Sequence, residues 1–459
     1  MKKYLALVLA LCMILALTAC GNTAPAPAGN DTPAGNDTPA GNTTPADNTT
    51  PAKEATTITL WTYPIGNWGD EATVKTLTDA FTAETGIKVQ VEYLTYADGD
   101  DKVNTALTAK AGPDLILEGP ERLVANWGAN GYMINIADLF DDQDKAEISP
   151  AAVAACFKDA NTAYEYPLCT VAHCMAINLN AFKEAGADQY LNLDTHTWST
   201  EQFFSAVKAL YEKFGGTVGA VYCGGQGGDQ GTRALVNNLY GGTFTNAEHT
   251  KYTWDDPKNI KALKALYDLE GIDFDPSIVA GDEIANFYNG VFKMAFCWNA
   301  GQQVNPNSAG TGVGLTANGD EIVCMQFPTE DGSAANLQGG IWGFGIFDNG
   351  DAARIEAAKK FIKFMCDSEY TANAVPAGFF AARTAVAGNE LKVWADDPVL
   401  TDYANKILPS LGDYYQVTTG WAPARTAWWN MLQKVGASDG SEQAITDAVA
   451  AGCAEANNF

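Results

Sequence analysis

Leu17-Thr18-Ala19-Cys20, with Gly21 behind it, is the first group in the chain with a defined reaction open to it. Small residues ahead of a cysteine fit a signal peptidase, and the cysteine thiol accepts a diacylglyceryl group. Lys2 and Lys3 precede an apolar run from Tyr4 to Ala19. That run falls short of the ~20 residues that span a bilayer, so residues 1–19 read as a signal peptide and Cys20 as the lipidation site. One acyl chain holds a membrane marginally and two hold it durably.

A second set of residues suits reversible capture. The chain has 11 tryptophans and 18 tyrosines, many of them between elements. Flat rings cover the C–H faces of a sugar, and planar polar groups meet its hydroxyl rim. Tyr63, Asn67, Trp68, Glu118, Glu121 and Arg122 each follow a predicted strand. In α/β sheets ligands bind beyond the carboxyl ends of the strands. Asp229 and Arg233 close a glycine-rich stretch, CGGQGGDQGTR. Trp298 ends an apolar strand, KMAFCW. Trp421 precedes a helix, and of the adjacent Trp428 and Trp429 at most one faces a cleft. Trp61 and Trp127 are expected in the core.

Catalytic groups are sparse. His173, His196 and His249 are the only histidines, and none has metal-ligand or triad spacing. With 55 acidic residues, any carboxylate pair is weak evidence for a glycosidase. The acidic run DGDDKVN lacks the twelve-residue calcium-loop pattern and reads as solvated charge. The glycine-rich stretch lacks both phosphate-binding patterns. No cofactor is expected. Of ten cysteines, eight remain after Cys12 and Cys20; they sit in apolar contexts and are expected to be mostly free thiols.

These residues must be held by a large folded body. The chain has 459 residues, 47% hydrophobic and 18% charged, enough for two or three domains. Its net charge of -27 opposes binding to nucleic acid or to anionic headgroups. Residues 20–56 contain a repeating PAGNDT-like unit without aromatic or branched aliphatic residues, which reads as a disordered tether. Beyond it, TITLWT and IKVQVEY read as strands around the amphipathic helix EATVKTLTDAFTAET, with Gly86 at its C-cap. The strand–helix–strand rhythm predicts an α/β domain with a mainly parallel sheet.

Six motifs in order, AGPDLILEGPERLVANWGANGYMINIADLF, YPLCTVAHCMAINLNAFKEAGAD, TWSTEQFFSAVKAL, FYNGVFKMAFCWNAG, LQGGIWGFGIF and AAKKFIKFMCDSEYTANAV, resemble extracellular solute-binding proteins of the maltose/maltodextrin type. The likeness runs over about residues 57–459. It implies a two-lobed periplasmic-binding-protein-like α/β fold of type II, each lobe a mainly parallel sheet flanked by helices, joined by a hinge. It places the lobes at 57–167 with about 340–375, and at 168–339 with about 376–459. It implies a sugar-stacking role for Trp298 and a second interlobe crossing at Gly340 and Trp342. Glu118 stands where the family has an aromatic residue, while Glu121 and Arg122 keep its acid–arginine pair.

The implied function is an extracellular lipoprotein, expected to be a monomer, that binds a sugar or oligosaccharide without turnover and delivers it to the permease of an ABC transporter. A polyamine receptor of the same fold, served by Glu118 and Glu121, is an alternative. A ferric-ion receptor using Tyr414 and Tyr415 is another, although adjacent tyrosines more often give one core and one surface residue. A lipid-anchored glycan-processing enzyme is the third.

Overall fold

The computed structural model describes residues 56–96, 98–224, 229–304, 313–391 and 397–458. Cys20, the tether and residues 225–228 of the glycine-rich stretch lie outside them. The two main sheets use β1 (Thr57–Thr62), β2 (Lys88–Tyr93), β3 (Leu115–Glu118), β4 (Tyr166–Ala172), β5 (Cys174–Asn178), β6 (Met294–Trp298), β7 (Ile322–Met325), β8 (Gly339–Ile346) and β9 (Phe380–Ala381). The first lobe carries a six-stranded sheet in the order β9-β4-β8-β3-β1-β2, and the second a three-stranded sheet, β6-β5-β7.

Neither sheet is mainly parallel: the first-lobe sheet is mixed and the second-lobe sheet is wholly antiparallel. β1 runs parallel to β2 and β3, but β8 is antiparallel to both β3 and β4, and β5 is antiparallel to both its neighbours. The reason is the connection between lobes. The chain leaves the first sheet along β4 and returns along β8, and two opposed passes lying side by side must pair antiparallel. His173, between β4 and β5, donates its backbone N–H to the Gln338 carbonyl at 2.7 Å, tying the outgoing pass to the returning one.

Local chemistry explains the supporting elements. Helix α1 (Glu71–Thr85) starts where Asp70 accepts from the Thr73 N–H at 2.8 Å. It buries Val74, Leu77 and Phe81 along one face and ends at Gly86, whose φ of 71° is the left-handed region glycine enters freely. β3 has all four residues buried, as a central strand requires. The buried Asp114 just before it accepts from the Thr59 N–H at 2.7 Å and from Arg354 at 2.6 Å. That carboxylate thereby fastens helix α5, numbered below, to the sheet. Around the sheets lie α2 (Gly99–Thr108), α3 (Thr200–Phe214), α4 (Gln230–Tyr240), α5 (Ala352–Cys366), α6 (Trp421–Gly436) and α7 (Glu442–Ala456).

Each lobe has its own hydrophobic core. The stretch just after 376 returns to the first lobe: Phe380–Ala381 pairs with β4, Phe380 packing in the second core and Ala381 and Ala382 in the first, and Arg383 bonds Asp144 at 2.9 Å and Glu147 at 2.8 Å. The third passage between lobes therefore follows Arg383 instead of falling near 376. The eight cysteines from Cys156 to Cys453 are all buried free thiols. Among the described residues no helix is long and apolar enough to cross a membrane.

Candidate functional site

The first lobe assembles its cluster at the carboxyl end of β3. Glu118 is the last residue of that strand, Gly119-Pro120 turns the chain, and Glu121 and Arg122 fall in the single helical turn that follows. The turn folds Arg122 back onto Glu118, with Nη1 donating to Oε1 at 2.7 Å. Asp100, in the first turn of α2, takes the Arg122 Nε at 2.8 Å and also accepts the Tyr63 hydroxyl. Tyr63 stacks on Tyr96 with centroids 5.0 Å apart, and Arg122 lies over the Tyr63 ring.

Behind this group sits Glu165, fully buried, with neither carboxylate oxygen hydrogen-bonded. Gly343 makes room for it: a Cβ there would fall 2.8 Å from Glu165 Oε1 and 2.2 Å from the Tyr166 carbonyl oxygen. Glu118 Oε2 is also unpartnered. Burial pushes both carboxyls well above the usual range. Glu121 and Glu118 push Glu165 further the same way, while Arg122 partly offsets the rise at Glu118.

The second lobe contributes an ion triad. Asp229 is buried, which by itself raises a carboxyl, but Arg233 and Arg425 outweigh burial and hold it well below the usual range. Arg425 Nε bridges both Asp229 oxygens at 2.9 Å. Arg233 also bonds Asp229, donates from Nε to the Tyr415 hydroxyl at 3.0 Å, and lies 4.8 Å from the Trp421 ring centre. Burial lowers His173, at the passage between the lobes, to about 4, so its imidazole is neutral near pH 7.

Tyr414 and Tyr415 join the two groups. The Tyr414 hydroxyl donates to Glu121 Oε2 at 2.7 Å, and Tyr415 serves Arg233. Both rings are buried, each in a different lobe's core, so the expectation of one core and one surface tyrosine fails. Their hydroxyls diverge and do not converge on one ion. Among the described residues no group of three His, Cys, Asp or Glu side chains is placed to hold a metal.

A cavity of about 540 Å³ lies between the clusters. Tyr96, Asp100, Glu121, Arg122 and Asn126 form its first-lobe wall, and Thr418 to Pro423, Arg425 and Trp429 the other. Trp421, Arg425 and Trp429 are spaced i, i+4, i+8 on α6, which puts them on one helix face. Trp428, one position off that face, is fully buried in the second core.

The remaining residues named from sequence lie elsewhere. Trp298 has 0% exposure, meets Phe287 edge-on at 5.2 Å, and donates its indole N–H to Gln303 at 2.8 Å. It is a core residue of the second lobe, turned inward where the pairing of β6 with β5 shifts register. Trp68 is likewise buried, bonded to the Ala374 carbonyl oxygen at 2.8 Å. Asn67 has an unpartnered buried Oδ1 outside the cavity. Trp342 packs on Phe379 at the returning pass, and its ring fills the space a Gly340 side chain would occupy, 1.8 Å from the position of a Cβ. Trp127 is in the core, while Trp61 is half-buried beneath Lys102.

Tyr96, Asp100, Glu165 and Arg425 were not singled out from sequence; Tyr414 was named only as half of a ferric-ion pair, and Trp429 is the one of the adjacent tryptophans that lines the cavity. Asp100 looked like solvated charge. Arg425 carried one usable signal, its four-residue spacing from Trp421.

The chain resembles several solved structures in fold. The GacH receptor of Streptomyces glaucescens, crystallised unliganded and with acarbose, is 17% identical with a TM-score of 0.64, over 87% of this chain and 98% of that one. Maltose-bound MalE3 of T. maritima is 18% identical with a TM-score of 0.65, over 87% and 99%. The sugar-binding protein MalE of Xanthomonas citri is 14% identical with a TM-score of 0.70, over 88% and 98%. No curated protein matches the sequence. Residues 65–372, about two thirds of the chain, match the family of bacterial extracellular solute-binding proteins, and the chain belongs to that family.

Proposed function

We propose that this protein captures a sugar or oligosaccharide between its lobes and delivers it to the permease of an ABC importer, held at the outer face of the membrane by lipid on Cys20. The observation that carries the reading is the cavity between the two clusters. Its 540 Å³ falls in the range of about 300–1,000 Å³ typical of small-molecule sites. Its walls set the rings of Tyr96, Trp421 and Trp429 among the planar groups of Asp100, Glu121, Arg122, Asn126 and Arg425, the combination a pyranose ring needs. Similar folds are described with acarbose, maltose and cycloalternan, which supports the same class of solute.

Capture proceeds by rotation of the lobes about the passes at His173 and Gln338, with residues at element ends absorbing the change. The protein works as a monomer and leaves its solute chemically intact. The neutral His173 lies behind the second-lobe triad and Asp229 is held by two arginines, so neither is free to act as an acid or base on the solute.

Isothermal titration over mono- and oligosaccharides, with chromatography of the recovered ligand, tests this reading. Saturable binding with intact sugar is expected. Shortened sugar in the recovered ligand would replace the receptor with a hydrolase, and absence of binding to every sugar would remove the solute class. A polyamine is the second reading, favoured by the excess of carboxylates on the first-lobe wall.

A further inference from the structure

Both walls of the cavity are longer than one sugar ring. Trp421, Arg425 and Trp429 lie along one face of α6 and all line it. From Trp421 to Trp429 the helix rises about 12 Å, so the two indoles stand two turns apart. The first-lobe wall has the same spacing. Arg122, Asn126 and Asn130 follow one another at four-residue intervals along the helical stretch that begins at Pro120. The Asn130 N–H donates to the Asn126 carbonyl oxygen at 2.9 Å, which carries the coil to its outer end. A single pyranose ring resting against Trp421 leaves Trp429 uncovered.

The two ends of these walls differ in chemistry. From Glu121 and Trp421 out to Arg425 the lining is charged and internally bonded. Asp100 holds Arg122 at 2.8 Å, Tyr414 holds Glu121 at 2.7 Å, and Asp229 holds Arg425 at 2.9 Å. Each of those charges already has its partner in the protein, so this end is a fixed frame of donors and acceptors. Beyond Arg122 and Arg425 the lining carries no charged side chain among the described residues. Asn126, Ala129 and Asn130 form one wall there, Thr426 and Trp429 the other. Asn130 Nδ2 donates to Asn126 Oδ1 at 3.1 Å, which sets the two amides together, and Trp429 across the cavity is only half-buried. A flat aromatic face opposite paired amides suits the C–H face and hydroxyl rim of a further ring. We propose that the solute is a linear chain of two or more sugar rings, and that Trp429 with Asn126 and Asn130 forms an outer subsite for the ring beyond the first. The inference rests on the sugar reading and narrows it.

The test uses the full chain and titrates glucose, mannose, galactose and xylose against their linear β-1,4 dimers and trimers, with maltose and maltotriose added. For at least one sugar the trimer is expected to bind about tenfold tighter than the monomer or more. Trp429→Ala should bring that ratio down to about threefold or less, through loss of affinity for the trimer. Asn126→Ala, at an exposed position, should lower the same ratio, and it carries the test if Trp429→Ala does not melt cooperatively. Monomers that bind as tightly as their trimers would overturn the outer subsite while leaving the sugar reading standing. A ratio unmoved in both variants would overturn the subsite as well. Binding by none of the chains overturns the proposal, and if no monomer binds either, the sugar reading falls with it.

Discussion

Tyr414 and Tyr415 are consecutive in the chain yet are held by opposite lobes: one hydroxyl donates to Glu121 and the other accepts from Arg233. The peptide between them is therefore a direct mechanical link between the acidic wall of the cavity and the triad facing it. Tyr414→Phe keeps the ring and removes the bond to Glu121. Stability should fall by about 0.5–1.5 kcal/mol, measured by urea unfolding, the usual net value of one hydrogen bond. An unchanged midpoint would mean that the bond contributes nothing to the solute-free state.

Two tryptophans should separate binding from folding. Trp429 lines the cavity, so Trp429→Ala should weaken sugar binding by about 1–3 kcal/mol with a smaller change in melting temperature. Trp298 is a core residue, so Trp298→Ala should cost about 3–5 kcal/mol of stability, with the affinity of the surviving folded protein near that of the parent. The reverse pattern would return Trp298 to the cleft.

Asp229 neutralises two arginines in a buried place. Asp229→Asn leaves both without a counter-charge and should cost about 3–5 kcal/mol. Because the folded carboxyl is held below its ordinary value of 3.8, its stabilisation is present above that pH and is lost as pH falls through the depressed value. Thermal melts from pH 2 to 6 should show a falling acid limb in the parent and a flatter one in the variant.

Glu283 predicts the opposite slope. It is buried beneath β6, accepts the backbone N–H groups of Phe296 and Cys297, and burial raises it to about 8. The folded state then binds more protons than the unfolded one between 4.5 and about 8. The contribution of this group is full below 4.5 and declines as pH rises to about 8. Glu283→Gln should flatten melting temperature across that window, and an unaltered slope would assign it to other groups.

Membrane attachment is tested at Cys20. Cys20→Ala should abolish incorporation of labelled lipid and release the protein from the membrane fraction. Retention of label in that variant would exclude the Leu17 to Cys20 motif as the modification signal.

Much of the scaffold was readable in the residues. β1, the capped helix α1 and β3 follow directly from alternation, spacing and the glycine at position 86, because local sequence decides them. The crossing strands were located, but the antiparallel pairing they impose on the sheets was not, since it depends on two passes that meet at Thr170 and Ile341, 171 residues apart (341 − 170), and that only the folded chain brings together. The site divides the same way. Glu121, Arg122 and Trp421 stand next to recognisable element ends. Glu121 meets Tyr414 across a separation of 293 residues, and Asp100 and Glu165 are two acids among 55. Nothing local marks such residues. Trp298 misled for a related reason: the end of a strand can point to a cleft or into a core, and the shifted pairing of β6 decides it.

The strand order of the first lobe has a consequence for how the chain is made. β8 lies between β3 and β4, and β9 closes the far edge. A ribosome that has released residues 57–172 has supplied four of the six strands, but the gap between β3 and β4 stays open until β8 emerges at residues 339–346. Pairings this distant are slow to form, and they cannot form before the chain for them exists. The first-lobe sheet therefore cannot close until the chain has been made as far as Ile346, well after the second lobe's strands have emerged. The same delay leaves two unpaired sheet edges exposed, so a chain truncated before residue 339 should aggregate instead of yielding a soluble half.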